Sequence, residues 1–211
     1  MRGVKRTMLL SAMCLMLLLG GCLPLAIHPF YKQEQLVFDE GLLGQWQRSQ
    51  EGGGDWNWTF TRAGNDSYSL RTLDDNGRTG VFEAKLFKLG DRQWLDLLLQ
   101  EHEPELELND WAAITLAPMH ALMVLERQGD KLTLRFIDGD RLKDLPASEP
   151  LVHLTKSDNV VFAGTTDQNQ QILLKHMKDA RFIGEHPGEL IRVADPPETP
   201  EAPEAPEAKQ P

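Results

Sequence analysis

Residues 55–61, DWNWTFT, alternate large rings with short polar side chains. Trp56, Trp58 and Phe60 fall to one side of an extended chain, and Asp55, Asn57, Thr59 and Thr61 to the other. Successive side chains of a strand point to opposite faces, so this spelling suits a strand with one face on a core and one in water. A helix would need its apolar positions three and four apart. The same period governs the later segments. SYSLRTL places Tyr68 and Leu70 together, TGVFEAKLFKLG sets Phe82, Ala84 and Leu86 against Glu83 and Lys85, and DKLTLRFID aligns Leu132, Leu134 and Phe136.

The punctuation agrees. RAGNDS is turn-forming, and DDNGR at residues 74–78 holds the Asn-Gly pair that accepts positive φ in a tight hairpin. Gly90 and Asp91 turn the chain into RQWLDLLL, and the acidic QEHEPELELND, broken by Pro104, reads as a surface loop. A strand is expected over residues 119–127, a helical turn in GDRLKDLP, and a hairpin joining LVHLT to NVVFAG. One long helix comes next. TTDQNQQILLKHMKDA opens on Thr and Asp, which accept from free N–H groups at a helix start, and Ile172, Leu173, His176, Met177 and Ala180 form its stripe. HPG stops it and ELIRV supplies a last short strand. The expectation is an all-β chain, mainly antiparallel, of about eight strands with one late helix before the last strand, closed as a small barrel or packed as a sandwich.

The two ends are written differently. Arg2, Lys5 and Arg6 precede an apolar run through Leu19, then Gly20, Gly21 and Cys22. As a helix the run would reach roughly 20 Å, short of a hydrocarbon core of about 30 Å, which fits a secretory signal at residues 1–21 better than a permanent span. For Cys22 a core thiol, half of a disulfide and a lipid attachment point compete. LGGC resembles the bacterial lipobox. That resemblance implies a diacylglycerol thioether on Cys22, cleavage before it and acylation of the freed amine. Cleavage would also remove Cys14, leaving one cysteine and no intramolecular disulfide. In a Gram-negative host, Leu23 in the next position leans toward the outer membrane, with the domain facing the periplasm.

Loss of residues 1–21 takes away three cations and no acid, moving the formal net charge from −10 to −13. That balance argues against nucleic acid as a partner. Residues 22–35 read as a lipidated N-terminus and tether, and residues 36–193 as one barrel domain. Residues 194–211, rich in Pro and Glu, hold too few large apolar groups to offset ordering, and read as a disordered tail.

GLLGQW carries Gly44 and Trp46 as the G-x-W that opens the first strand in the lipocalin-like (calycin) superfamily. The resemblance implies that Trp46 closes one barrel end and that an Arg from the last strands, here Arg192, packs on its ring. The wider run from LLGQW to GDRQWLDL resembles uncharacterised bacterial lipoproteins of lipocalin-like type, which bring no activity with them.

No motif assembles a catalytic site. QEHEPELE lacks a fixed backbone for metal ligands, and His28, His120, His153, His176 and His186 show no paired spacing. The carboxylates at Asp74, Asp75, Asp138 and Asp140 are explained by turns, and the glycines at 52–54 lack the Gly-Lys-Ser of a phosphate loop. The expectation is a protein without enzymatic activity, cofactor or metal, held to the membrane through Cys22. Trp56, Trp58, Phe60, Tyr68 and Phe82 either line a cavity for an apolar small molecule or fill the barrel, since eight strands leave room for one or the other. In the second case the partner is another envelope protein.

Overall fold

The computed structural model describes residues 24–48, 57–74, 77–103, 119–154, 159–185 and 187–194. The expected signal peptide, Cys22, Trp56, the acidic loop beyond residue 103 and the tail from residue 195 lie outside the described residues.

Eleven strands run in chain order: β1 Leu25–Ala26, β2 Gly44–Arg48, β3 Asn57–Arg62, β4 Tyr68–Leu73, β5 Thr79–Leu89, β6 Arg92–Glu103, β7 His120–Gln128, β8 Lys131–Arg135, β9 Leu151–Leu154, β10 Asn159–Phe162 and β11 Gly188–Ala194. Helix α1 is Gly139–Lys143 and helix α2 is Thr166–His176. From β2 to β8 the chain meanders, each strand antiparallel to the one before. β11 then inserts between β8 and β2, antiparallel to both. These eight strands close into a barrel, with one helix late in the chain before the last strand, as the period-two spelling predicts.

Turn chemistry fixes the register. At the β4–β5 hairpin, Gly77 takes φ 73° and its N–H donates to the Asp74 carbonyl at 2.9 Å. Gly44, where the chain enters β2, takes φ 119°, which side chains with a Cβ rarely adopt. Thr165 caps α2: its hydroxyl accepts from the Gln168 N–H at 3.4 Å, and its own N–H donates to Gln168 Oε1 at 2.9 Å.

Two apolar clusters hold the molecule. The first fills the barrel and includes Trp46, Trp58, Phe60, Tyr68, Leu70, Leu86, Leu95, Leu132 and Leu190. The second lies outside the barrel wall, where Trp94, Phe87, Leu122 and Val124 meet α2, β10 and the N-terminal segment. β6 and β7 are therefore buried on both faces. In β7 the run from Ala121 to Leu125 is buried without a break, Ala121, Met123 and Leu125 inward and Leu122 and Val124 outward. A strand between two cores loses its alternation and reads as a continuous apolar run.

The stretch expected as a tether, residues 22–35, is from Pro24 onward part of the fold. The Pro24 carbonyl accepts from the Leu122 N–H at 3.1 Å, and β1 pairs antiparallel with β7 and parallel with β10. Ala26 and Phe30 are fully buried in the second cluster. The segment lacks a period because it crosses the barrel wall as a strap, placing its apolar groups one at a time. One amide and one hydroxyl of α2 hold it: the buried Gln170 donates from Nε2 to the Phe30 carbonyl at 2.7 Å and to Gln35 Oε1 at 2.6 Å, and the Thr166 hydroxyl donates to the Pro29 carbonyl at 2.7 Å. β9 and β10 form the expected hairpin, but outside the barrel, flaring from β7 through β1.

Candidate functional site

Four places in the fold could hold a site: the barrel interior, the Trp46–Arg192 contact before β2, a buried Asp–His pair beneath the strap and a cleft on the outer wall. In the interior, the residues expected to line a cavity pack on one another. The Trp58 and Phe60 rings stand 6.1 Å apart, Phe60 meets Tyr68 edge-on at 5.9 Å, and Phe38 stacks on Tyr68 at 4.5 Å with planes 10° apart. Phe60, Tyr68, Leu70 and Leu86 are wholly shielded from solvent. Phe82 is partly buried against the same cluster, opposite Leu99. Among the described residues the space inside the wall is taken by the chain's own rings.

A 3₁₀ turn, Glu40–Leu42, lies just before β2, and its Leu42 is fully buried in the barrel cluster. Trp46 donates from Nε1 to the Leu42 carbonyl at 2.8 Å, and the Arg192 guanidinium carbon lies 4.3 Å from the Trp46 ring centroid. The two residues paired by the sequence resemblance are thus in contact. Arg192 also donates to the Leu43 carbonyl at 2.5 Å, to the Gly41 carbonyl and to Asp130 Oδ1 at 3.0 Å, so one side chain ties the last strand to the turn before the first. Beside it Asp39 accepts from Arg127 Nε at 2.8 Å and Nη2 at 3.1 Å. Burial works to raise the Asp39 pKa, but the Arg127 hydrogen bonds, the Gly41 N–H and the charges of Arg127 and Arg192 outweigh it and hold the carboxyl below its ordinary value. Tyr68 Oη accepts from the Asp39 N–H at 2.6 Å and donates back to the Asp39 carbonyl at 3.2 Å, and burial pushes its phenol up to about 12.

The pair that sequence reading missed lies in the second cluster. Asp96, in the middle of WLDLLL on β6, is buried, with Oδ1 2.6 Å from His120 Nδ1 and Oδ2 accepting from the Phe30 N–H at 2.9 Å. Both carboxylate oxygens are spent on fastening strap and β7 to β6. The signal was there: a lone acid inside an apolar strand requires a partner. His120, 24 residues later, supplies it. His176, expected at the edge of the helix stripe, is partly buried against Phe182, ring centroids 5.7 Å apart.

Outside the wall a shallow cleft of about 270 Å³ is lined by Gln45, Gln47, Asn57, Thr59 and Arg71 among others. Its amides and hydroxyls suit polar contacts. Among the described residues no three His, Cys, Asp or Glu side chains converge as metal ligands.

No protein-family model, curated protein or solved structure matches this chain. The reading of function therefore stands on the residues themselves.

Proposed function

We propose that this chain is a lipid-anchored protein of the bacterial envelope, held through Cys22, whose barrel acts as a rigid body meeting another envelope protein by its outer surface. The observation that carries the second half is the filled interior. Carriers of apolar molecules keep a pocket of roughly 300–1,000 Å³. Here Trp58, Phe60 and Tyr68 occupy the corresponding space with ring-to-ring contacts. The anchor half is supported by four independent features of the N-terminal stretch: basic start, short apolar run, paired small residues and the cysteine directly after them. Leu23 supports the outer membrane, with the domain in the periplasm. No catalytic role is assigned to any residue.

The test combines mass and crosslinking. Intact mass of the protein extracted in detergent should carry the added mass of a diacylglyceryl group and an amide-linked acyl chain at Cys22. Native mass spectrometry should show no further lipid, and tryptophan emission should not move on adding oleate. A photoreactive residue at Gln47 or Arg71, on the polar outer wall, should capture one protein reproducibly in cells. A copurified acyl-chain ligand together with an emission shift would replace this reading with that of a carrier.

A further inference from the structure

Two rows of side chains cross the outer wall in register. Ile191, Gln47, Asn57, Leu73 and Thr79 pair along one, from β11 through β2, β3 and β4 to β5. Gln45, Thr59, Arg71 and Val81 pair along the next, two residues away on β2 to β5. Residues paired in register, or two apart on one strand, share a face of the sheet. It is the wet face. Trp46, Trp58, Phe60 and Leu70, which alternate with these positions, are buried in the barrel, whereas Gln45, Gln47, Arg71 and Ile191 are exposed. The shallow cleft lies on the two rows.

The composition of this face departs from that of the chain. Charged residues make up 26% of the sequence and acids outnumber cations 32 to 22, yet the two rows hold no acid and a single cation, Arg71. Ion pairs stand at the margins. Lys131, in register with Ile191, binds Glu189 at 2.6 Å, and Arg78 binds Asp74 at 2.8 Å where β4 turns into β5. A centre depleted of charge, with arginine retained, inside a polar rim is the anatomy of a protein–protein contact. Among the described residues, the side chains of Gln45, Gln47, Asn57, Thr59 and Thr79 take no hydrogen bond within the fold. The strap-side amides Gln33, Gln35 and Gln170 are all engaged.

Docking strips water from the groups it covers. A side-chain amide or hydroxyl both donates and accepts, whereas a carboxylate only accepts and an ammonium only donates. Satisfying this wall therefore takes a surface whose groups do both: peptide groups, amides and hydroxyls. Ile191, Leu73 and Val81 take uncharged carbon beside them. A sugar would want an aromatic ring to lie on, and the rings of β2–β4, Trp46, Trp58, Phe60 and Tyr68, all belong to the barrel interior. We propose that this wall is the seat of the partner protein, and that the partner meets it with a neutral polar surface and not with charge. The proposal rests on the reading above that the barrel meets another envelope protein.

The photoreactive residue at Arg71, in the full chain in cells, reports capture. Gln47→Glu and Gln47→Lys add opposite charges at an exposed position of the cleft, and Asn57→Asp repeats the test with the smallest change of shape. Near-ultraviolet circular dichroism of each purified variant checks the fold. The same two charges at Gln171, exposed on α2, are the control. Either charge at position 47 should cut the adduct yield by about tenfold, since each strands an unpaired group in the contact, and neither should alter it at 171. A gain with one sign shows that the partner brings the opposite charge, and overturns the neutral contact. Yields unchanged by both charges overturn the wall as the seat. No adduct at position 71 while a probe at 171 captures a protein moves the partner to another surface and overturns this proposal alone. No protein adduct from either position overturns the reading it rests on as well. An adduct with a second copy of the chain, or with a carbohydrate, assigns the wall to that occupant and overturns the proposal.

Discussion

Arg192 sits over the indole of Trp46, 4.3 Å from the ring centroid, while its nitrogens bind the carbonyls of Gly41 and Leu43 that lead into the Trp46 strand. The first and last strands of the barrel are thus joined by one planar cation. Lysine keeps the charge but not the fork. Arg192→Lys should lower stability by about 1–3 kcal/mol, the worth of charge-assisted hydrogen bonds. Arg192→Ala should cost about 0.5–2 kcal/mol more through the lost cation–π contact. Urea midpoints at constant slope measure both. An unchanged midpoint for Arg192→Lys would show that the guanidinium fork adds nothing to the hold on β11.

The neighbouring Asp39–Arg127 pair gives the barrel end a pH dependence. The Asp39 pKa is depressed in the fold, so its contribution is fully present above the ordinary carboxylate value of about 4 and is lost as pH falls through the lower folded value. Stability measured from pH 6 down to pH 2 should fall less steeply in Asp39→Asn than in the parent. Gly41→Ala should behave like Asp39→Asn, because a Cβ there would stand 2.3 Å from Arg127 Cζ and push the guanidinium off its carboxylate. Superimposable pH profiles for parent and Asp39→Asn would show that the pair adds nothing to acid stability.

If the barrel is filled by its own rings, a hole must be made before it can hold anything. Phe60 is fully buried between Trp58 and Tyr68. Phe60→Ala should cost about 3–5 kcal/mol and leave an apolar void. The variant, and not the parent, should then take up a small aromatic such as indole or benzene, seen as a rise in melting temperature with ligand concentration. Equal uptake by the parent would mean that a pocket already exists.

The buried Asp96 carboxylate is one of the ties that fasten the strap to the wall. Asp96→Ala leaves the buried Phe30 N–H and His120 Nδ1 without their acceptor, at about 1–3 kcal/mol for each orphaned group. Amide exchange should speed up at Phe30 and along residues 25–36 before it does in β3 and β4, because the carboxylate fastens strap to wall and does not touch the barrel interior. Uniform acceleration would make the strap and barrel one cooperative unit.

How far the sequence could be read depends on which groups see water. β3, β4, β8 and the first part of β5 have one wet face, so Trp58 and Phe60, Leu70, Ala84 and Leu86, and Leu132 and Leu134 keep period two and could be placed inward from spelling alone, whereas Phe87 and Leu89 at the end of β5 meet the second cluster. β7 has no wet face over Ala121–Leu125, so its spelling gives length without sidedness. Trp94, which alternation does not place, is fully buried in the second cluster for the same reason. The strap was unreadable on other grounds. Phe30 finds Asp96 66 residues away and Gln170 140 away, contacts that no local pattern encodes. Trp46 and Arg192 are 146 positions apart yet could be paired, because a resemblance named both.

Both tyrosines of the chain report on these two cores. Tyr68 lies in the barrel against Phe38, and Tyr31 lies on the strap 6.2 Å from Phe87. Burial pushes each phenol up to about 12, and for Tyr31 the charge of Asp96 adds to the effect. The fold favours the neutral form of each acid, which sets the sign. Stability is unaffected below about pH 10, where an exposed tyrosine ionises, and falls as pH rises from there toward 12. Absorbance at the phenolate band should therefore stay flat through pH 10 in the native protein and rise only near 12 or with unfolding, whereas in urea both groups should titrate near 10. Asp96→Ala should bring forward the Tyr31 half of the native step and leave the Tyr68 half in place. A native titration with a full step near pH 10 would mean that neither ring is shielded, and that strap and barrel are not two packed cores.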